Sequence, residues 1–167
     1  MLYNTISDFL SDWKMDSEAT LKIFRALTPE SLNQAVVPGG RTIGLIAWHI
    51  TESIPEMINR VGLVIDRYEE GRKEYNNLSA IIEFYEYYSQ KLVSELKAKW
   101  KDGDLSKEVN MYGEMWKNGA TLQILISHQI HHRAQLTVLM RQAGLKVPGV
   151  MGPSQEEWAA MGMPPQK

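Results

Sequence analysis

The sequence predicts an all-α domain built as a four-helix bundle. Four long segments repeat apolar residues with a period near 3.6, no segment alternates strictly between apolar and polar, and no internal repeat appears. The chain has 167 residues, which suits a single domain, 1–167, with a substantial core.

The first helix is expected from about Thr5 to Leu27. Ile6, Phe9, Leu10, Trp13, Leu21, Phe24 and Leu27 recur there at helical spacing, with acidic residues between them. Thr28-Pro29-Glu30 ends it, and Val37-Pro38-Gly39-Gly40 is a strong breaker. Thr42 caps a second helix, roughly Thr42 to Val61, with Ile43, Ile46, Ile50, Ile54 and Met57 as its apolar stripe. Pro55 predicts a kink or an early stop, because proline lacks the backbone donor and clashes with the preceding turn. Gly62 to Asn77 is mixed and charged. It reads as a long connection between helices two and three, which permits a crossover topology.

Asn77 caps a third helix, about Leu78 to Trp100. Ile81, Ile82, Phe84, Tyr85, Tyr88, Leu92, Leu96 and Trp100 mark its buried side, and Lys101-Asp102-Gly103-Asp104 stops it. Ser106 to Gly119 is expected to be a loop anchored by Met111, Tyr112, Met115 and Trp116. A fourth helix is expected from about Ala120 to Ala143, ending at Gly144, which suits a residue with positive φ. The tail carries Pro148, Pro153, Pro164 and Pro165. Its Ser154-Gln155-Glu156-Glu157 run fits a capping box and predicts a short helix near Trp158.

Composition excludes several function classes. The formal net charge is -2, from 18 basic and 20 acidic residues, with no basic stripe, so neither a nucleic-acid partner nor a polybasic membrane surface is expected. The absence of cysteine rules out disulfides, cysteine-zinc sites and a cysteine nucleophile. The N-terminal stretch is broken by Asp8, Asp12 and Lys14, so no secretory signal is expected. No apolar run is long enough to span a bilayer, and the expected location is the cytoplasm.

The chemistry lies in the histidines. Residues 128–132 read HQIHH and hold three of the chain's four histidines. His128 and His132 are four apart, one turn of helix, and both fall on the face that carries Leu125 and Leu136. Two buried imidazoles each need partners: a shared cation satisfies both, and a hydrogen-bonded cluster of core histidines is the alternative. His131 points about 100° away from His132 and is read as an exposed or interface residue. His49, in helix two, is the one imidazole left to complete a three-nitrogen site. Three protein ligands with an open position is the arrangement of catalytic zinc, although the same donors accept nickel, cobalt or iron. Glu52 and Glu56, three and seven residues beyond His49, are candidates to orient a ligand or act as a base, with a solvated helix face as the plainer reading, especially for Glu56. Trp48, Tyr85, Tyr88 and Trp116 either line a pocket or fill core. No phosphate loop, Gly-x-Ser-x-Gly elbow or HExxH motif is present.

Three stretches resemble the DinB-like (DinB/YfiT-type) family of metalloenzymes: IGLIAWHI at 43–50, HQIHHRAQLTVLMRQAG at 128–144 and GPSQEEW at 152–158. The HxxxH followed by Arg-Ala-Gln-Leu and a closing Leu-x-Arg-x-x-Gly region is the specific part. The resemblance implies a four-helix bundle with a histidine triad holding a divalent ion, zinc or nickel foremost, on His49, His128 and His132. It also implies a homodimer formed through helix packing. Some relatives are thiol S-transferases or thiol-dependent isomerases that use low-molecular-weight thiols such as bacillithiol or mycothiol. Two functions follow as expectations. One is a metal-dependent enzyme on a small-molecule substrate, either a thiol transferase or a hydrolase. The other is a non-catalytic bundle with a structural metal, closed by a carboxylate such as Glu52, or with a partner-binding role.

Overall fold

The computed structural model describes residues 3–66, 69 and 71–164. Arg67, Tyr68 and Glu70 of the expected connection, and Pro165 of the tail, lie outside the described residues. The helices are α1 (Ile6–Phe24), α2 (Ile43–Arg60), α3 (Leu78–Lys99) and α4 (Asn118–Gln142), with a hairpin of β1 (Glu108–Met111) and β2 (Glu114–Lys117) before α4. Short 3-10 turns occupy Glu30–Asn33, Asp102–Ser106 and Trp158–Met161. No described helix is long and apolar enough to cross a membrane.

Three helices begin where a side chain takes an orphan backbone donor. Thr5 accepts from Asp8 N–H, Thr42 from Leu45 N–H and Asn77 from Ala80 N–H. The start of α4 has no side-chain cap at Lys117. Instead the Asn118 N–H donates to the Lys107 carbonyl and its side-chain amide to the Asp104 carbonyl. These bonds pull Asn118 and Gly119 into the helix, two residues before the expected start.

Two further expectations need correction. The segment expected to be a loop folds as an antiparallel hairpin, pairing Glu108 with Lys117 through Met111 with Glu114. Its two turn residues, Tyr112 and Gly113, have φ of 58° and 92°, the positive values that match the twist of a tight hairpin. Met111 alone among the strand residues is fully buried, so no alternation was there to be read. Pro55 does not stop α2 short: the helix runs on to Arg60 with Ile54, Pro55, Met57 and Ile58 all buried. That burial outweighs the one missing backbone donor. The tail helix is a single 3-10 turn, and only half its capping box forms. Glu157 accepts from the Ser154 N–H, while Ser154 Oγ is buried without a partner among the described residues.

Each helix packs against two others. α1 and α2 both touch α3 and α4, so α1 faces α2 across one diagonal of the bundle. Phe9, Trp13, Phe24, Ile50, Ile54, Tyr85, Leu92, Leu122 and Leu136 fill the space between them. A polar layer crosses this core. Arg133 pairs with Asp16 at 2.7 Å and donates to Thr20 Oγ1 at 2.8 Å, joining α4 to α1. The Tyr85 hydroxyl donates to Gln129 Oε1 at 3.0 Å, and Gln129 Nε2 donates to the Ile50 carbonyl at 3.0 Å, joining α3, α4 and α2. Burial pushes the Asp16 carboxyl up, and the Arg133 guanidinium opposes this.

Arg133 is 2% exposed, so Arg133→Ala strands a buried carboxylate. The expected loss of stability is about 3–5 kcal/mol, read by urea unfolding. The tail offers a pH test. Arg141 and the Val147 N–H hold the Glu156 carboxyl down to about 2, below its unfolded value. The stabilisation is therefore complete above pH 4.5 and fades as pH falls towards 2. Glu156→Gln should flatten the fall in unfolding free energy across that window. An unchanged slope would mean that the tail clamp carries no stability.

Candidate metal centre

Helices α2 and α4 bring three imidazoles together. The seam is set by Gln129, whose amide donates to the carbonyl of Ile50, the residue after His49, and to Ser53 Oγ at 3.3 Å. His49 thus faces the turn of α4 that carries His128 and His132. The three rings each offer one nitrogen, and these nitrogens all lie within 4.8 Å of one another. Ring centroids are separated by 4.7, 4.7 and 4.4 Å, with interplanar angles of 69°, 82° and 74°. The rings meet edge to face rather than stacking.

His49 Nε2 and His128 Nε2 are 3.0 Å apart. Two lone pairs cannot approach so closely unless a proton or a cation lies between them. Around one tetrahedral ion at zinc-nitrogen distances, neighbouring nitrogens sit about 3.4 Å apart, close to this spacing. His132 is oriented from outside: its Nδ1–H donates to Gln135 Oε1 at 2.8 Å, which frees Nε2 as an acceptor. The amide nitrogen of Gln135 lies 3.1 Å from His131 Nε2 and donates to it. His131 is exposed and outside the cluster, as its angle on the helix foretold. Nδ1 of His128 is buried without a hydrogen-bond partner among the described residues.

The electrostatics favour neutral rings. Burial, then repulsion from His132, holds His49 and His128 down to about 4. Burial also lowers His132, with the Gln135 bond opposing it. Arg41 contributes to the lowering at all three rings, and Glu56 pulls His49 the other way. At neutral pH the three rings are unprotonated nitrogen donors, so the donor set fits a divalent ion.

Glu52 is not in the three-nitrogen cluster. It lines a cavity of about 310 Å³ that opens beside His49 and Trp48. Its carboxyl is raised by burial and by Glu56, against the pull of Lys73. Glu56 is engaged elsewhere: both its oxygens accept from the Tyr112 hydroxyl, at 2.8 and 2.6 Å, and Oε1 also accepts from Arg60 Nε. It fastens the hairpin tip to α2. Of the candidate pocket aromatics, Trp48 lines the cavity, Tyr85 and Tyr88 are core, and Trp116 packs edge to face on Tyr112. The sequence reading passed over Gln129, Gln135, Arg41 and Lys73. Gln135 carried a usable signal, three residues beyond His132 on the same helix face. Gln135→Leu should weaken binding of added Zn²⁺ or Ni²⁺ by about 10–100-fold, measured by competition with a chromogenic chelator.

Comparison with known proteins agrees with this architecture. The profile of the DinB family matches residues 1–167. The uncharacterized protein YrdA of Bacillus subtilis (strain 168) is 39% identical over 162 residues, covering 97% of each chain. The crystal structure of a DinB-like protein from Bacillus cereus ATCC 10987 superposes with a TM-score of 0.84 at 39% identity, covering 89% of this chain and 99% of that one. A second DinB-like structure, YjoA from Bacillus subtilis, shares the fold alone, with a TM-score of 0.65 at 18% identity over 84% of this chain and 94% of its own. The match runs from the first helix to the tail and takes in all three clustered histidines: the chain belongs to the DinB family.

Proposed function

We infer that the chain is a metal-dependent enzyme acting on a small-molecule substrate, a thiol S-transferase or a hydrolase, with zinc or nickel on His49, His128 and His132. The observation that carries this reading is the convergence of three neutral imidazoles beside an open cavity. A structural metal tends to be closed by four protein ligands. Here no carboxylate joins the three rings among the described residues, which favours catalysis over a structural role.

A divalent ion in this centre supplies Lewis acidity, lowering the pKa of a coordinated water or thiol. The protein's own groups do the rest. His49, His128 and His132 hold the ion through uncharged nitrogens. Gln135 fixes the tautomer of His132, so that its Nε2 lone pair stays available. Glu52, on the cavity wall with its carboxyl raised, exchanges a proton with bound substrate in this reading. The chain has no cysteine, so a sulfur nucleophile must arrive as a small thiol.

Purified untagged protein should contain near one divalent ion per chain and conjugate a small thiol to an electrophilic acceptor, or else hydrolyse an activated ester. His128→Ala should lose both the metal and the turnover. Chelation should lower the melting temperature, since the ion binds the folded triad better than the unfolded chain. Full turnover by metal-free protein would overturn the reading.

A further inference from the structure

The cavity beside His49 carries more positive charge than its walls neutralise. Arg41 reaches it from the turn before α2, and Lys73 from the connection between α2 and α3. Both side chains are exposed, and among the described residues neither is paired with a carboxylate. Glu52 is the single acidic group on the wall. Their neighbour Arg72 is occupied: it pairs with Glu69 and Glu74 and lies 4.5 Å over the Phe84 ring.

The backbone on either side of Lys73 is held in place. The Trp48 indole N–H donates to the Arg72 carbonyl at 3.1 Å, pinning the connection to α2 one residue before Lys73. Two residues after Lys73, the Tyr75 carbonyl oxygen sits against Gly44, where any Cβ would collide with it. The connection can lie this close to the first turn of α2 only because residue 44 has no side chain. Arg41, on the other side, is near enough to the triad to depress all three imidazoles. The two cations and His49 thus share one space of about 310 Å³, at the small end of ligand pockets.

We propose that this cavity binds a small anionic molecule, whose carboxylate or phosphate is held by Arg41 and Lys73 while its other end faces His49. Leu45, Trp48 and Tyr75 contribute the apolar part of the wall. The proposal rests on the enzyme reading for what happens at the histidine end, but not for the anion contact itself. It assigns specificity to a pair of residues from separate segments. Neutral analogues of the same size lose the two charge-assisted bonds.

The test uses the full chain in two forms. In the chelated form, succinate and inorganic phosphate are titrated calorimetrically into the wild type, Arg41→Gln/Lys73→Gln and Glu52→Gln. The wild type should bind at least one of the two anions, and the tighter one identifies the group. The double variant should bind it at least roughly tenfold more weakly, and Glu52→Gln several-fold more tightly. In the Ni²⁺-loaded form, 3-mercaptopropionate is compared with its amide. The wild type should prefer the acid by roughly tenfold, and the double variant should show no preference. Both cations are exposed, so the variants should keep the wild-type melting temperature. Wild-type affinity in the double variant, or no anion binding by the wild type, would overturn the proposal. Anion binding that depends on Arg41 and Lys73 in a protein that takes up no metal would support it and remove the enzyme reading instead.

Discussion

The candidate centre depends on the distance between α2 and α4, and that distance is set by a buried amide. Gln129 lies beside His128 in the chain, and its side chain grips the Ile50 carbonyl beside His49. The carbonyl it takes lies in a helix interior and also accepts from the Ser53 hydroxyl at 2.8 Å, so the amide adds a cross-helix bond to an oxygen already engaged within α2. Tyr85 completes the arrangement by donating to Gln129 Oε1 from α3. Apolar packing alone is tolerant of small slides between helices. A satisfied amide in a dry seam is not, because a shift of one ångström would leave polar atoms unpaired in the core.

A second constraint keeps the imidazoles competent. Three basic rings in contact would, in water, share protons and repel. Half-burial and mutual proximity depress their basicity, and Arg41 adds to the effect from the cavity side. The protein thereby holds a cluster of lone pairs rather than a cluster of charges. The nearby carboxylates do not reverse this. Glu56 is tied up by Tyr112 and Arg60, and Glu52 has its own charge discouraged by burial.

Much of this was legible in the chain itself. Helical periodicity located the start of α1, and the caps Thr42 and Asn77 those of α2 and α3, each to within a residue, because those signals are local. The triad was legible because four-residue spacing puts His128 and His132 on one face, and the family motif pointed to His49. What escaped notice depends on tertiary contact. The hairpin buries only Met111 in its strands, so it carries no alternating pattern. The continuation of α2 past Pro55 depends on the core around it. Nothing local marks Arg133 as buried, because its partner Asp16 lies 117 residues away. Arg41 and Lys73 belong to different segments and acquire a common meaning only when the connection lies down on Gly44.

The diagonal placement of α1 and α2 also bears on how the molecule is made. Neither helix packs substantially on the other; each leans on α3 and α4, which are synthesised later. His49 precedes His128 by 79 residues, so the nascent chain exposes its first imidazole long before the others exist. While α4 is still within the ribosome, Arg133 and Gln129 are missing, and with them every buried polar tie of α4 to α1 and α2. The last long helix to emerge therefore closes the core and assembles the ligand set in one event. A chain truncated before α4 would be left as three helices with an open flank and a solitary histidine.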